Sequence, residues 1–189
     1  TMPNTKPPVA KVMKQDPLDY WSIEYYRDQM LEAGGDVFED IIIPLYLTKD
    51  TTPAMIEAGA KSGLLRAAKY YPPHGTTGAD FGHPFSAYFE NGVFQAMADN
   101  NVTLCIHGEQ HGLEAEDYFD QNRNAEATFY TEQMPRLLDE VPTLRVVGEH
   151  ITTAVAAEFI ESAPDNVGAT ITPQHLLYTV GHLLKGCNY

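Results

Sequence analysis

Several side chains suited to acid–base or metal chemistry sit where an apolar run gives way to polar sequence. Lys69 lies near the end of Leu64–Tyr70 (LLRAAKY), His107 and Glu109 follow Val102–Ile106 (VTLCI), and Glu149 and His150 follow Leu144–Val147. Thr172 leads to His175 after a fourth run, and Asn4 stands near the start of the chain. Neutral imidazole is a good ligand for zinc-like cations, and a catalytic metal site keeps one position open for water. A protonated lysine ligates nothing. A buried lysine, however, has a lowered pKa, and its neutral amine can combine with carbon dioxide to give a carbamate. That group is in effect a carboxylate, able to bridge two cations about 3.5–4 Å apart. Each residue alone also has a plainer reading, the lysine as a solvated charge and each histidine as a satisfied core or rim group. The order Lys, His, His on three successive apolar runs is what packing does not require.

Those groups need a scaffold that brings run ends together. Asp16-Pro17 predicts a helix start, with Ile23, Tyr26 and Met30 at helical spacing before Gly34-Gly35. Asp40–Tyr46 reads as a buried strand, Thr52-Pro53 opens a helix ending near Ser62-Gly63, and Leu64–Tyr70 reads as the next strand. A Pro-, Gly- and Thr-rich loop then runs to Phe85. Helices are expected over Glu90–Asn100, Ala125–Glu140 and Ala154–Ser162, with strands over Val102–Ile106, Leu144–Val147 and Gly168–Ile171. This alternation predicts a parallel sheet, either doubly wound or closed as a (β/α)8 barrel. No GxGxxG or GxxxxGK[ST] follows any strand, so the usual phosphate cradle is missing from the sequence. In a barrel, catalytic groups gather at the carboxyl ends of the strands, which is where the lysine and histidines fall.

Composition narrows the partners. The 189 residues hold 12 Lys+Arg against 26 Asp+Glu, a formal charge of −14. Phosphate backbones call for clustered cations, so nucleic acid is excluded as an expected partner, and an anionic membrane surface would repel the chain. The longest apolar runs fall far short of the roughly 20 residues that span a bilayer. Cys105 and Cys187 form neither a CxxC pair nor a disulfide framework, which points to a reducing cytoplasm. Neither terminus carries a capping element, and the chain is expected to be a fragment, residues 1–189 forming part of one larger barrel domain.

Six short stretches, in order, resemble dihydroorotases of the bacterial homodimeric type within the amidohydrolase superfamily. They are Met2-Pro3-Asn4 with Pro7-Pro8-Val9, Tyr46-Leu47-Thr48, Ala67-Ala68-Lys69-Tyr70-Tyr71-Pro72 followed by Thr76-Thr77, His107-Gly108-Glu109, Glu149-His150-Ile151-Thr152-Thr153, and Ala169–Leu176 (ATITPQHL). The resemblance implies an incomplete TIM (β/α)8 barrel lacking its first and last strands. It implies a cyclic amide hydrolase that interconverts N-carbamoyl-L-aspartate and L-dihydroorotate in pyrimidine synthesis. Two zinc ions would be bridged by carboxylated Lys69, with His107 and His150 on one of them. Asn4 would bind the substrate carboxylate, Thr76 and Thr77 would sit on a closing loop, and His107 would border the substrate. A His-x-His pair with an arginine is expected before Thr1, and the catalytic aspartate with a histidine after Tyr189. The chain alone is therefore expected to be inactive, and the parent protein a homodimer.

Two other readings stay open: a hydantoinase-like hydrolase sharing the lysine and histidines, and a metal-free barrel-derived binding module. Glu109 is a candidate to orient His107, although a surface acid is the equal alternative. Cys105 is expected in the core, and Glu114–Asp120 on a solvated face. His74, His83, His111, His175 and His182 are expected to have no ligand role.

Overall fold

Each strand pairs in parallel with the next strand in the chain, and this pairing organises the molecule. The computed structural model describes residues 23–73, 75, 79–114 and 116–183. Helix α1 (Ile23–Glu32) precedes β1 (Leu45–Tyr46), α2 (Pro53–Lys61) and β2 (Ala67–Tyr70). Two short helices, α3 (Ala87–Glu90) and α4 (Val93–Asp99), lead to β3 (Thr103–Ile106). After α5 (Ala125–Thr128) and α6 (Met134–Glu140) come β4 (Val146–Gly148), α7 (Ala154–Ser162), β5 (Val167–Ala169), α8 (Pro173–Leu177) and α9 (Val180–Leu183). The sheet order is β1-β2-β3-β4-β5, all parallel. A doubly wound sheet reverses its strand order at a switch point. Here the order never reverses, which is the winding of a barrel. Among the described residues no helix is long and apolar enough to cross a membrane.

Local sequence explains the element ends. Thr52 caps α2 by accepting from the Met55 N–H at 3.3 Å, with Pro53 at the first helical position. Thr153 caps α7 through the Ala156 N–H at 3.1 Å, and Asn124 caps α5 through the Ala127 N–H at 2.9 Å. The helix expected over Glu90–Asn100 is two helices, because Gly92 takes φ +76° between them. The helix expected over Ala125–Glu140 is also interrupted, by a wide π turn over Phe129–Gln133. Pro135 lies just past it, lacking an N–H and carrying a ring that would clash with the carbonyl one turn back. The expected strand from Asp40 shrinks to Leu45–Tyr46, and α8 was not foreseen. The start predicted at Asp16-Pro17 lies outside the described residues.

Strand periodicity separates two faces. Ala68, Tyr70, Leu104, Ile106 and Val146 face the main apolar core against the helices. There Tyr70 meets Phe85 edge-on at 4.8 Å between ring centroids, and Phe85 meets Phe129 at 4.9 Å. The alternate positions Tyr46, Lys69, Cys105, Val147 and Gly168 are register partners across all five strands and lie on the opposite face. That face carries the chemistry.

Tyr130, in the π turn, packs beneath the ends of β3 and β4. A Cβ at Gly108 would come within 2.8 Å of its Cε2, and one at Gly148 within 2.1 Å of its hydroxyl. The Tyr130 hydroxyl is buried without a hydrogen-bond partner among the described residues. Two glycines therefore admit a ring directly under the turns that carry His107 and His150. Gly148→Ala should cost about 1–3 kcal/mol through overpacking. Tyr130→Phe alone should be neutral or stabilising, since an unpaired buried hydroxyl is removed. Combining the two should recover part of the Gly148→Ala loss in denaturant titrations. Additive losses would refute the contact.

Candidate metal centre

Lys69 lies inside a strand whose four residues are all buried. Only 2% of it is exposed, and its Nζ donates to Glu149 Oε2 at 2.7 Å. The aromatic face of Tyr71 lies 5.0 Å from the same nitrogen. Burial pulls the Lys69 pKa down, and the Glu149 carboxylate only partly restores it. The amine is thus enclosed and ion-paired, which fits the buried lysine and not the solvated charge of the plainer reading. Cys105, its register partner on β3, is buried as expected, and burial beside Glu149 pushes its thiol up to about 11.

The two histidines follow adjacent strands. The His107 N–H donates to the Tyr70 carbonyl at 3.0 Å, and the Glu149 N–H to the Ile106 carbonyl at 3.0 Å, so the ladder continues past the formal strand ends. His107 Nδ1 and His150 Nε2 face each other at 3.2 Å. Glu109 lies 3.0 Å from the other ring nitrogen of His107, and this contact holds the Glu109 carboxyl below the usual range. An ionised carboxylate only accepts, so His107 Nε2 carries a proton toward Glu109, and Nδ1 is the ring nitrogen that faces His150. Glu109 thus both contacts His107 and stays half exposed, so the two readings given for it from sequence meet in one side chain. Burial, the facing His107 and the Lys69 charge pull His150 down to about 4, which keeps its ring neutral near pH 7.

This pair suits a tetrahedral cation. Two nitrogens ~2.0–2.1 Å from such an ion stand roughly 3.3 Å apart, close to the 3.2 Å observed. Loading would require any proton held between His107 Nδ1 and His150 Nε2 to leave that contact, so that both nitrogens present lone pairs. Among the described residues no cluster of three His, Cys, Asp or Glu could hold a metal. Among the described residues Lys69 would extend the donor set once its amine is changed.

An opening of about 260 Å³ beside the histidines is lined by His107, Gly108, Glu109, Glu126, His150, Thr152 and His175. His175 bonds Thr172 Oγ1 through Nδ1 at 2.8 Å, and its ring centre lies 6.2 Å from that of His150. Asn4, His74, Thr76 and Thr77 lie outside the described residues. Sequence reading missed Glu126, whose bonds reach 26 and 27 residues along the chain. It also missed the Lys69–Glu149 pair, set by strand register across 80 residues. Neither leaves a local signal.

Dihydroorotases from Pseudomonas entomophila and Laribacter hongkongensis are each 42% identical to the chain, over 188 and 189 residues, 98% of its length. The chain is related to dihydroorotases. It spans about half the length of these curated relatives, 49% and 50%. A dihydroorotase from Saccharomyces cerevisiae, crystallised with 5-fluoroorotic acid, superimposes with a TM-score of 0.79 at 24% identity, over 98% of this chain and 50% of that one. A dihydroorotase from Campylobacter jejuni gives 0.69 at 26% identity, over 87% of this chain and 45% of its own. No protein-family model matches the chain. Likeness to these dihydroorotase structures places the five parallel strands in a partial TIM barrel of the amidohydrolase kind.

The depressed His150 gives a pH signature. An unfolded histidine titrates near about 6.5, and the folded one near about 4. The unfolded chain therefore binds more protons between these values, so stability is full above about 6.5 and falls as pH drops toward about 4. His150→Gln should flatten part of the decline in melting midpoint of the metal-free chain across that window. Identical slopes for the two proteins would contradict a neutral, buried His150.

Proposed function

We propose that this chain forms the metal-binding part of a zinc-dependent dihydroorotase, a cyclic amide hydrolase that interconverts N-carbamoyl-L-aspartate and L-dihydroorotate in pyrimidine biosynthesis. The observation that carries the reading is the 3.2 Å convergence of His107 Nδ1 and His150 Nε2 beside a buried Lys69. It occurs in a chain 42% identical to dihydroorotases. His107 and His150 would hold a zinc ion, and Lys69, once carboxylated, would supply oxygen donors to the zinc centre. The parent protein works as a cytoplasmic homodimer, a reading supported by the resemblance alone.

Zinc, when bound, supplies Lewis acidity toward the ring amide carbonyl and lowers the pKa of water toward neutrality. The residues of this chain prepare that chemistry. Burial gives Lys69 access to the neutral amine that adds to carbon dioxide, with loss of the amine proton. Glu109 fixes the His107 tautomer, as a carboxylate behind a ligating imidazole generally does. In hydrolysis, water adds to the carbonyl carbon, the ring C–N bond breaks and the leaving nitrogen takes a proton. By the resemblance, Asn4 would bind the substrate carboxylate, and Thr76 and Thr77 would also contribute to substrate binding.

Two substitutions separate stability from function. Lys69→Arg keeps a cation opposite Glu149, yet a guanidinium is neither deprotonated nor carboxylated in a protein. Lys69→Ala removes the partner of a nearly buried carboxylate, and breaking such a pair costs about 3–5 kcal/mol. In the gene product that carries this chain, both variants should lose bound zinc and several orders of magnitude in dihydroorotate turnover. Lys69→Ala should melt furthest below wild type, and Lys69→Arg should lose less, through overpacking of an enclosed site. Wild-type zinc content with near-normal turnover in Lys69→Arg would remove Lys69 from the centre.

A further inference from the structure

His150 is not a glycine, yet its backbone sits at φ +45°. Such a left-handed conformation is costly for a side-chain-bearing residue and persists only where the surroundings enforce it. The enforcement is visible one amide at a time. The N–H groups of residues 149 to 153 each have a defined acceptor. Glu149 donates to the Ile106 carbonyl at 3.0 Å, His150 to Thr170 Oγ1 at 2.9 Å, and Ile151 to the Thr170 carbonyl at 3.0 Å. Thr152 and Thr153 both donate to Glu126 Oε1, at 2.8 and 2.7 Å.

Glu126 is the one charged acceptor in the series. Its Oε1 also receives the hydroxyls of Thr153 at 2.8 Å and Thr152 at 3.2 Å, while Oε2 lies 3.1 Å from the Thr152 N–H. Thr153 is the N-cap of α7, so the carboxylate also lies at the end of that helix where negative charge is favoured. Glu126 itself is fixed on α5, whose start is capped by Asn124. A rigid helical residue thus grips the chain just after His150, while β3 and β5 grip it just before.

Resting on the zinc-site reading above, we propose that Glu126 is a positioning residue of the metal centre. It clamps Thr152-Thr153 so that the strained His150 backbone turns Nε2 toward His107, and it thereby sets zinc affinity without touching the ion. The geometry makes one atom decisive. Four of the five contacts fall on Oε1, which a glutamine carbonyl oxygen reproduces at the same reach. An aspartate keeps the charge but stops one methylene short.

The test compares Glu126→Gln with Glu126→Asp in the full chain, measuring zinc affinity by competition with a chromophoric chelator and amide exchange at Thr152 and Thr153 in the metal-free state. Glu126→Gln should bind zinc within about threefold of wild type and keep both amides protected. Glu126→Asp should lose about 10–100-fold in affinity, the range for removing an outer-shell partner, and exchange faster at both amides. The reverse ranking, or wild-type affinity in Glu126→Asp, would overturn the clamp while leaving the zinc site standing. Wild-type chain that takes up no zinc would instead overturn the site itself and the clamp with it. A merely structural role predicts lower melting points with unchanged zinc affinity well below the transition, which also counts against the proposal.

Discussion

A lysine amine enclosed by a parallel sheet is the constraint around which this molecule is arranged. Burying that charge unpaired would be prohibitive. The fold answers with Glu149, delivered from two strands away by the parallel register, at 2.7 Å. That delivery requires β2, β3 and β4 to pair in sequential order, and sequential order requires helical crossovers on the opposite face. The aromatic core built on Tyr70, Phe85 and Phe129 supplies the burial that fixes this register. The same enclosure that makes the charge expensive makes the neutral amine accessible. Chemistry and stability at Lys69 therefore pull on one variable.

The strand ends could be read from sequence because each carries a strong local pattern. Apolar runs at VTLCI and LLRAAKY, caps at Thr52 and Thr153, and glycine or proline at the joints mark elements without tertiary information. Placing Lys69, His107 and His150 at successive strand ends followed from that alone. What could not be read depended on distance. The barrel winding needed the observed strand order, the pairing of Lys69 with Glu149 needed register, and the clamp from Glu126 needed two helices to meet. The break before Pro135 was legible in principle, but helical spacing on both sides of it favoured one continuous helix.

Tyr130 shows how the helical layer reaches the site. The π turn widens the helix where Tyr130 leaves it, and Gly108 and Gly148 clear the space that the ring occupies. The two turns that carry His107 and His150 thus share one support from below, while Glu126 and Thr170 hold the His150 turn from the sides. A pair of imidazoles 3.2 Å apart on different strands tolerates little independent movement. Common support converts two loops into one rigid object.

Cys105 stands in the middle of this arrangement, between Lys69 and Val147 in register, with its thiol pushed up to about 11. At neutral pH it is protonated and, at 8% exposure, shielded from reagents. Thiolate is the reactive form, so alkylation of this sulfur requires the sheet to part and the thiol to meet water. The rate of its labelling is a clock for opening at the centre of the sheet. Because β3 lies between the lysine and the second histidine, the clock runs fastest when the two halves of the centre separate.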